Sequence, residues 1–334
     1  MKLFGISALL LGLLAGMLLI DSVGFGAVGQ ALLAVGWTGF FAVAAFHLGT
    51  VVLCGIAWFV VAPPAERPRC RVFVWGRLVR EAVSEILPLS QLGGFVVGGR
   101  AASLAGLSGR LAAASSVVDA TVELLAQIVF AALALAIVAA LRPEAPFIGP
   151  VALALAAALL VAILFVAAQS RGVAMLERIA DRFIRQWSRS ASWAPGAIQD
   201  TVHRIYGRRG RLLSGFLLHL LGWVASAVEA WLALLFMGDP LGLAAVIAIE
   251  GLVYAARAMA FAVPAALGVQ EGAYVVLGGL FGLTPDAALA LSLLKRARGL
   301  LLGVPPVVIW QLAEGRRLWH RGRPAAVRVR VERR

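Results

Sequence analysis

Two carboxylates one helical turn apart, Asp119 and Glu123, are the residues of this chain with the clearest potential for chemistry. Ser116 and Gln127 continue the same face, so a polar stripe runs along a segment that is otherwise mostly apolar. Ionised carboxylates are hydrogen-bond acceptors only, and a pair of them favours a partner that brings hydroxyl or ammonium donors. The stripe therefore predicts a site for such a donor.

The matching cations lie in the second half of the chain. Lys295 and Arg298 share one face of a predicted helix with Ser292, and Arg257 lies on the segment before it. Glu81 and Glu85 rank below Asp119, since among neighbouring arginines they equally fit a solvated helix start. The candidate binding residues are Arg100, Asp119, Glu123, Arg257, Glu271, Lys295, Arg296 and Arg298.

The elements that carry these residues are predicted to be membrane spans. Hydrophobic residues make up 61% of the 334 residues and charged residues only 14%, with a mean hydropathy of +0.92. This composition is typical of an all-α polytopic integral membrane protein. The net charge of +13 is concentrated in segments that flank apolar stretches, which indicates cytoplasmic loops and argues against nucleic-acid binding.

Intramembrane charges are costly, at about 2.5 to 3.5 kcal/mol each near the bilayer centre. The carboxylates and cations must therefore find partners, water or both. Two interpretations stay open: an ion-pair network that holds the helices together, or a hydrophilic cavity that receives a lipid headgroup or a counter-ion. The two can hold at once.

The apolar pattern predicts about eight crossings, and the charge rule places both termini in the cytoplasm. A single transmembrane domain covers residues 1–315, and a basic cytoplasmic tail covers 316–334. The first span, Leu3 to Ile20, lacks a cleavage site and is expected to be retained. An amphipathic stretch within the cytoplasmic segment 170–211 fits a helix on the membrane surface or one packed on the protein's own loops. The other predicted spans are 37–62, 110–141, a segment ending near 169, 212–237, 241–263, 267–283 and 286–312.

Two proline- and glycine-rich segments interrupt this pattern. Residues 81 to 109 are expected to dip into the membrane and return, with the break at Pro88, Gly93 and Gly94. A second break is predicted at Pro264 and Gly268. Broken backbone at membrane depth persists only where protein or water satisfies its amides, so the breaks are expected beside the working site.

A weak internal repeat relates the two breaks. An offset of 176 residues carries Pro88 onto Pro264, and the same offset aligns the Gly-Leu-Ser of residues 106–108 with the Gly-Leu-Thr of residues 282–284. The predicted helices after the two breaks run in opposite directions. This is the relation expected of an inverted-topology repeat, in which the substrate site lies between broken helices near the midplane.

The residues around both breaks resemble a known family. The pattern of Pro88, the glycine pair, Arg100, Gly106, Asp119 and Glu123, followed by Pro264, Gly268, Glu271, Gly282, Arg296 and Pro305, is similar to flippase-like integral membrane proteins. That family includes the transmembrane region of lysylphosphatidylglycerol synthases, and the likeness is greatest to members encoded with hopanoid biosynthesis. The resemblance implies translocation or handling of hopanoids or another polar-headgroup lipid, with membrane lipids and lipid-biosynthesis or transport proteins as partners.

Two other functions fit parts of the sequence. One is a noncatalytic membrane scaffold for lipid-synthesising enzymes. The other is a rhomboid-like intramembrane serine protease, because Ser108 in a Gly-x-Ser-x turn and His219 in a His-x-x-Gly helix match short protease patterns. Ser108 also suits a helix N-cap. The prediction is that the protein is not an enzyme.

No cofactor and no metal are expected. The two cysteines, Cys54 and Cys70, are too few and too poorly spaced for a metal site. The sequence has no nucleotide-binding motif, so any energy for transport is expected to come from an ion gradient, a lipid gradient or a partner.

Overall fold

The computed structural model describes residues 25–86, 90–170, 196–260 and 263–322. Within these ranges the chain forms ten α-helices, one short 3-10 helix and no strand, which confirms the all-helical fold. The helices are α1 (Phe25–Val61), α2 (Cys70–Ile86), α3 (Ser90–Leu104), α4 (Gly109–Leu141), α5 (Ile148–Ser170), α6 (Ala197–Tyr206), α7 (Arg209–Met237), α8 (Leu243–Met259), α9 (Val269–Leu280) and α10 (Pro285–Gly322). The 3-10 helix, Pro264–Ala266, lies between α8 and α9.

Besides the break at Pro88, three predictions concern residues outside the described ranges. They are the first span at Leu3 to Ile20, the amphipathic stretch between 171 and 195, and the basic tail beyond residue 322. Residues 316–322 continue α10.

Four helices of the described residues are long and apolar enough to cross a membrane. They are Leu33–Val61 within α1, Gly109–Leu141, Ile148–Gln169 within α5, and Arg209–Met237. The shorter α9 has 12 residues, or about 18 Å of helix, and cannot cross a core of about 30 Å by itself. The total of eight crossings therefore stays a prediction.

Apolar side chains cover the outside of the helix bundle. In the span of α5 only 6% of the residues are buried, compared with 44% in the span of α7. Large apolar side chains such as Leu160, Val161 and Leu164 are exposed on α5. In water such a surface would be unfavourable, whereas lipid tails solvate it. The exposed face of α5 is thus suited to lipid.

The largest buried core joins α4, α7, α8, α9 and α10. Leu234, Ile249, Tyr274 and Leu291 lie in it and are almost completely buried. At Gly251 a Cβ atom would lie 2.5 Å from the Cβ of Ala134, so this glycine allows α8 to pack closely on α4. The core holds the polar faces of these helices in fixed positions.

One end of the bundle is strongly basic. Glu66, in the loop after α1, pairs with Arg110 at 3.3 Å and with Arg204 at 2.6 Å, which joins this loop to the start of α4 and to α6. On α6 the Tyr206 hydroxyl donates to Gln169 Oε1 at 2.7 Å, and burial raises the pKa of Tyr206 to about 12. The basic end is the one that the charge rule predicts to face the cytoplasm.

The first break needs a correction. Residues 87–89, which include Pro88, lie outside the described ranges, but Gly93 and Gly94 lie inside α3 and do not interrupt it. A Cβ atom on Gly94 would lie 2.7 Å from the backbone carbonyl oxygen of Arg80. The glycine therefore serves close packing of α3 on α2. Gly93 has open space where its side chain would be.

The second break is present between α8 and α9. Ala265 (φ 52°) and Ala266 (φ 48°) are both left-handed, and Gly268 has φ 76°. A left-handed alanine costs roughly 1–2 kcal/mol, so the surrounding contacts must hold this segment in place. Arg296 donates to the carbonyl oxygen of Ala265 at 3.2 Å, and Glu271 accepts from the backbone N–H of Gly268 at 2.8 Å.

The internal repeat is visible in the helices. The offset of 176 residues carries the last residue of α3 onto the last residue of α9, and the first residue of α4 onto the first residue of α10. The turns match as well, since Gly106 (φ 112°) and Gly282 (φ 86°) are both left-handed. In each turn, the residue after the glycine donates its N–H to the carbonyl oxygen five residues earlier at 3.0 Å.

The two copies begin at opposite ends of the bundle. The start of α4 lies at the basic end through the Arg110–Glu66 pair. The turn before α10 lies at the other end, because Arg142, directly after α4, donates to the carbonyl oxygen of Leu280 at 2.7 Å. This arrangement agrees with the predicted inverted relation.

Candidate functional site

Asp119 and Glu123 lie on the buried face of α4, and their carboxylates accept hydrogen bonds from two arginines of α2. Arg77 Nη1 donates to both carboxylate oxygens of Glu123 at 2.8 Å. Arg80 makes a short hydrogen bond to Glu123 and donates to Asp119 Oδ2 at 3.2 Å. The Asp119 side chain has no exposed surface. These charge-assisted hydrogen bonds leave the two carboxylates little capacity for another ligand.

His219 of α7 completes this group, with Nε2 placed 2.9 Å from Asp119 Oδ1. Ligand atoms of Asp119, Glu123 and His219 lie within 4.8 Å of one another, so their chemistry would suit a metal ion. The guanidinium groups of Arg77 and Arg80 already occupy both carboxylates. We call the five residues the arginine cluster; its two carboxylates are matched by its two arginines.

The protease dyad does not form. Ser108 caps α4 by accepting from the N–H of Leu111 at 3.4 Å. His219 contacts Asp119, which follows Ser108 by eleven residues, or about 16 Å along the helix. A serine and its general base must lie within hydrogen-bond distance, so the sequence match does not describe a catalytic pair.

A chain of polar contacts runs from the arginine cluster toward α10. Arg77 Nη2 lies 3.3 Å from Glu81 Oε2, and the other oxygen of Glu81 lies 3.1 Å from His47 Nε2. His47 Nδ1 lies 2.8 Å from Glu229 Oε2. The chain ends where Arg298 Nε forms an ion pair with Glu229 Oε1 at 3.3 Å.

A cleft lies beside this chain, between α1, α2 and α10. Its polar lining is His47, Glu81, Glu85 and Arg298, and its other walls are leucine, valine and alanine side chains and two glycines of α10. The side chains of Glu81 and Glu85 keep 27% and 26% of their surface exposed. The cavity volume is about 20 Å³, close to the space of one water molecule. These carboxylates are open to a small donor, and a larger ligand would have to widen the cleft.

Cations from α8 and α10 balance the neighbouring carboxylates. Arg257 Nη2 donates to Glu85 Oε1 at 2.9 Å, so it borders the cleft. Lys295 Nζ donates to Glu250 Oε2 at 2.5 Å, and the hydroxyl of Tyr274 makes a short hydrogen bond to the other oxygen. The two cations of the predicted α10 face, Lys295 and Arg298, thus each pair with a carboxylate.

The remaining predicted residues form two separate ion pairs. Arg296 Nε and Nη2 donate to the two oxygens of Glu271 at 2.6 and 3.1 Å. Arg100 donates to the two oxygens of Glu314 at 3.0 and 2.6 Å. The first pair holds α10 against the second break, and the second pair joins α3 to the far half of α10. Of the eight predicted binding residues, only Arg298 lines the cleft, and Arg257 borders it.

Sequence reasoning missed most of the cleft. His47 and Glu229 were visible only as single polar residues inside apolar segments, which the cost of burial in a membrane marks for attention. The arginines that flank Glu81 and Glu85 in sequence equally favour a solvated helix start at these positions. The sequence does not show that those arginines turn toward α4 and leave the carboxylates partly exposed.

These features define a multi-pass, all-helical membrane protein with a network of intramembrane charges. The model of one protein family, described as the lysylphosphatidylglycerol synthase TM region, matches residues 4–306. The chain belongs to this family, and its function is accordingly tied to lipid handling. No curated protein and no solved structure matches the chain.

Proposed function

We propose that the protein moves a lipid with an ammonium- or hydroxyl-bearing headgroup between the leaflets of the bacterial inner membrane. The observation that carries this proposal is the pair of partly exposed carboxylates, Glu81 and Glu85, in the cleft between α1, α2 and α10. Carboxylates accept hydrogen bonds from hydroxyl and ammonium groups. The carboxylates of the arginine cluster are already paired with arginines, and these pairs hold the helices together.

The other residues of the cleft suit an amphiphile. Arg298 lines the cleft and Arg257 borders it, and they balance the charge of Glu229 and Glu85. Leucine and valine side chains next to these groups offer apolar contact to the part of the lipid below its headgroup. The site thus combines a few polar groups with apolar walls.

Transport requires the narrow cleft to open. Gly299 and Gly303 of α10 lie in its wall, and Pro305 and Pro306 follow in the same helix. The second break, before α9, lies against α2, which forms another wall. Broken helices in an inverted repeat are a common basis for alternating access, and these elements are the proposed hinges.

The finer parts of the proposal rest on the family resemblance. A hopanoid polyol is the proposed lipid, and enzymes of lipid biosynthesis or other transport proteins are the proposed partners. Both termini are placed in the cytoplasm on the charge rule. The protein moves its lipid without changing it chemically and is therefore not an enzyme.

Leaflet exchange in proteoliposomes tests the proposal. Purified protein is reconstituted with a headgroup-tagged hopanoid polyol, an amine-bearing phospholipid or an anionic phospholipid. We expect exchange above empty vesicles for the first two, and a loss in Glu85→Gln. Glu66→Gln, which alters a carboxylate at the basic end, is the matched control. Equal rates in protein-containing and empty vesicles for all three lipids, with and without an ion gradient, would leave the membrane scaffold as the better explanation.

A further inference from the structure

His47 has an unusual position between two carboxylates. Its Nε2 lies 3.1 Å from Glu81 Oε1, and its Nδ1 lies 2.8 Å from Glu229 Oε2. A neutral imidazole has one N–H donor and one acceptor nitrogen, and an ionised carboxylate can only accept. Both contacts are hydrogen bonds only when one more proton is present. An imidazolium, with two N–H donors, supplies it.

The charged groups around His47 come from four helices. Glu81, with Glu85 and Arg77 beside it, faces His47 from α2, and Glu229 faces it from α7. Arg298 of α10 lies behind Glu229 at 3.3 Å. Glu85 is balanced by Arg257 from α8. The groups in direct contact with His47 are thus acceptors, and the cations stand one contact further away.

The charge balance of the whole network needs the same proton. The carboxylates joined by these contacts are Glu81, Asp119, Glu123 and Glu229, and the permanent cations are Arg77, Arg80 and Arg298. The separate pairs Glu85–Arg257 and Glu250–Lys295 are each neutral and leave this balance unchanged. The network is one positive charge short when both of its histidines are neutral. His219 has a carboxylate partner only at Nε2, so its carboxylate contact requires a single N–H. His47 needs the proton at both nitrogens.

We propose that His47, Glu81 and Glu229 form an exchangeable proton site that couples proton release to binding of a cationic group in the cleft. The site joins two different environments, because Glu81 is 27% exposed in the cleft whereas Glu229 is fully buried. This inference rests on the proposed function for the identity of the group that enters the cleft. For a lipid with an ammonium headgroup, it adds the proton gradient that would drive the movement.

The exchange step balances in charge and in atoms. An ammonium group that enters the cleft donates to Glu81 Oε1 in place of the His47 Nε2–H. The Nε2–H bond then breaks, its electron pair stays on the ring, and the proton leaves to water in the cleft. His47 remains neutral with Nδ1–H donating to Glu229. One positive charge enters and one leaves, so the buried network keeps its charge.

Nitrogen NMR of the histidine rings tests the proton site directly. The chain has four histidines, and at pH 8 an unperturbed histidine, with a pKa of about 6.5, is neutral. We expect the His47 ring, assigned by loss of its signal in His47→Gln, to carry a proton on both nitrogens in nanodiscs at pH 8. The exposed His203 of α6 provides the matched variant, His203→Gln, in which the signal persists. A His47 ring with one unprotonated nitrogen would overturn the inference.

Proton release on ligand binding tests the coupling. In weakly buffered detergent solution we expect stearylamine to release about one proton per protein, and stearyl alcohol to release none. His47→Gln should release none with either probe. Lipid exchange in vesicles without any proton release would overturn the coupling and leave the proposed function intact. Proton release without lipid exchange would overturn the proposed function and leave the proton site intact.

Discussion

The arginine cluster and the cleft both contain carboxylates, but those of the cluster are enclosed by cations and those of the cleft are partly exposed. In the cluster, Asp119 and Glu123 meet two guanidinium groups and a histidine, and Asp119 has no exposed surface. In the cleft, Glu85 pairs with one cation, and Glu81 contacts one cation and one histidine. Both side chains keep about a quarter of their surface exposed. A carboxylate on a membrane helix thus indicates a binding site only when its own protein leaves part of it unoccupied.

Helix packing explains the difference. On one side of α2, α3 packs so closely that its glycines touch the backbone of α2, and the ring of Phe95 lies 3.4 Å from the guanidinium carbon of Arg80. On the other side, α10 presents Gly299 and Gly303 toward α2. The small residues of α3 close one side, whereas those of α10 leave a space on the other.

The largest expected effect comes from opening the arginine cluster. Arg80→Met leaves Asp119 and part of Glu123 without their cation, and removing one partner of a buried ion pair costs about 3–5 kcal/mol. Unfolding by sodium dodecyl sulphate in detergent micelles measures this loss. Arg110→Met, which removes a half-exposed arginine from Glu66, should cost about 1 kcal/mol or less. Equal losses would contradict a structural role for the cluster.

The packing of α3 on α2 gives the next effect. Gly94→Ala places a Cβ atom 2.7 Å from the carbonyl oxygen of Arg80, and such overpacking costs about 1–3 kcal/mol. The adjacent Gly93→Ala has open space and is expected to raise the unfolding free energy by up to about 1 kcal/mol. The same denaturation assay compares the two. The contact between α2 and α3 would be in doubt if both substitutions were stabilising.

The cleft itself is tested by filling it. A Cβ atom on Gly299 would lie 3.7 Å from Glu85 Oε2, so Gly299→Leu places its side chain in front of this carboxylate. We expect lipid exchange in proteoliposomes to fall about tenfold, because the added side chain excludes the headgroup. Gly315→Leu, in an exposed part of the same helix, is the matched control. Unchanged exchange in the folded Gly299 variant would place the lipid path elsewhere.

The smallest effect is expected at the second break, which lies against α2. Ala266 has φ 48°, and Ala266→Gly should relieve this strain and raise the unfolding free energy by less than about 1 kcal/mol. In the interior of α9, Ala273→Gly should lower it by up to about 1 kcal/mol. Thermal unfolding in detergent measures both changes. A loss of stability in Ala266→Gly would show that the left-handed alanine is not strained.

The sequence predicted the features that depend on local pattern. Long apolar runs predicted the spans at α1, α4, α5 and α7, because each such run must be solvated by lipid. The repeated Gly-Leu-Ser and Gly-Leu-Thr pattern marked Gly106 and Gly282 as equivalent positions, and both have left-handed backbones in the structure. The cost of a buried charge also marked Asp119, Glu123 and Lys295 as residues that need partners.

The sequence could not show which partner each charge would take. The repeat aligns Asp119 with Lys295, yet Asp119 pairs with Arg80 and His219, and Lys295 pairs with Glu250. Such choices depend on which helices become neighbours, and the spacing within one helix carries no information about its neighbours. The same limit explains Gly94, whose role in packing depends on the distance between α2 and α3.

Lipid exchange measured side by side in two variants tests most directly whether the cleft, and not the arginine cluster, binds the lipid. The first variant is Glu81→Gln. The second is Arg80→Gln combined with Asp119→Asn, which removes one cation and one anion from the cluster and leaves Glu123 paired with Arg77. Both are compared per folded protein, as judged by size-exclusion chromatography.

We predict that Glu81→Gln lowers exchange about tenfold or more, because a hydrogen bond to a charged carboxylate is lost. The charge-balanced double variant should keep most of its exchange activity. The opposite result, with exchange preserved in Glu81→Gln and lost in the folded double variant, would contradict the account and place the binding site on α4.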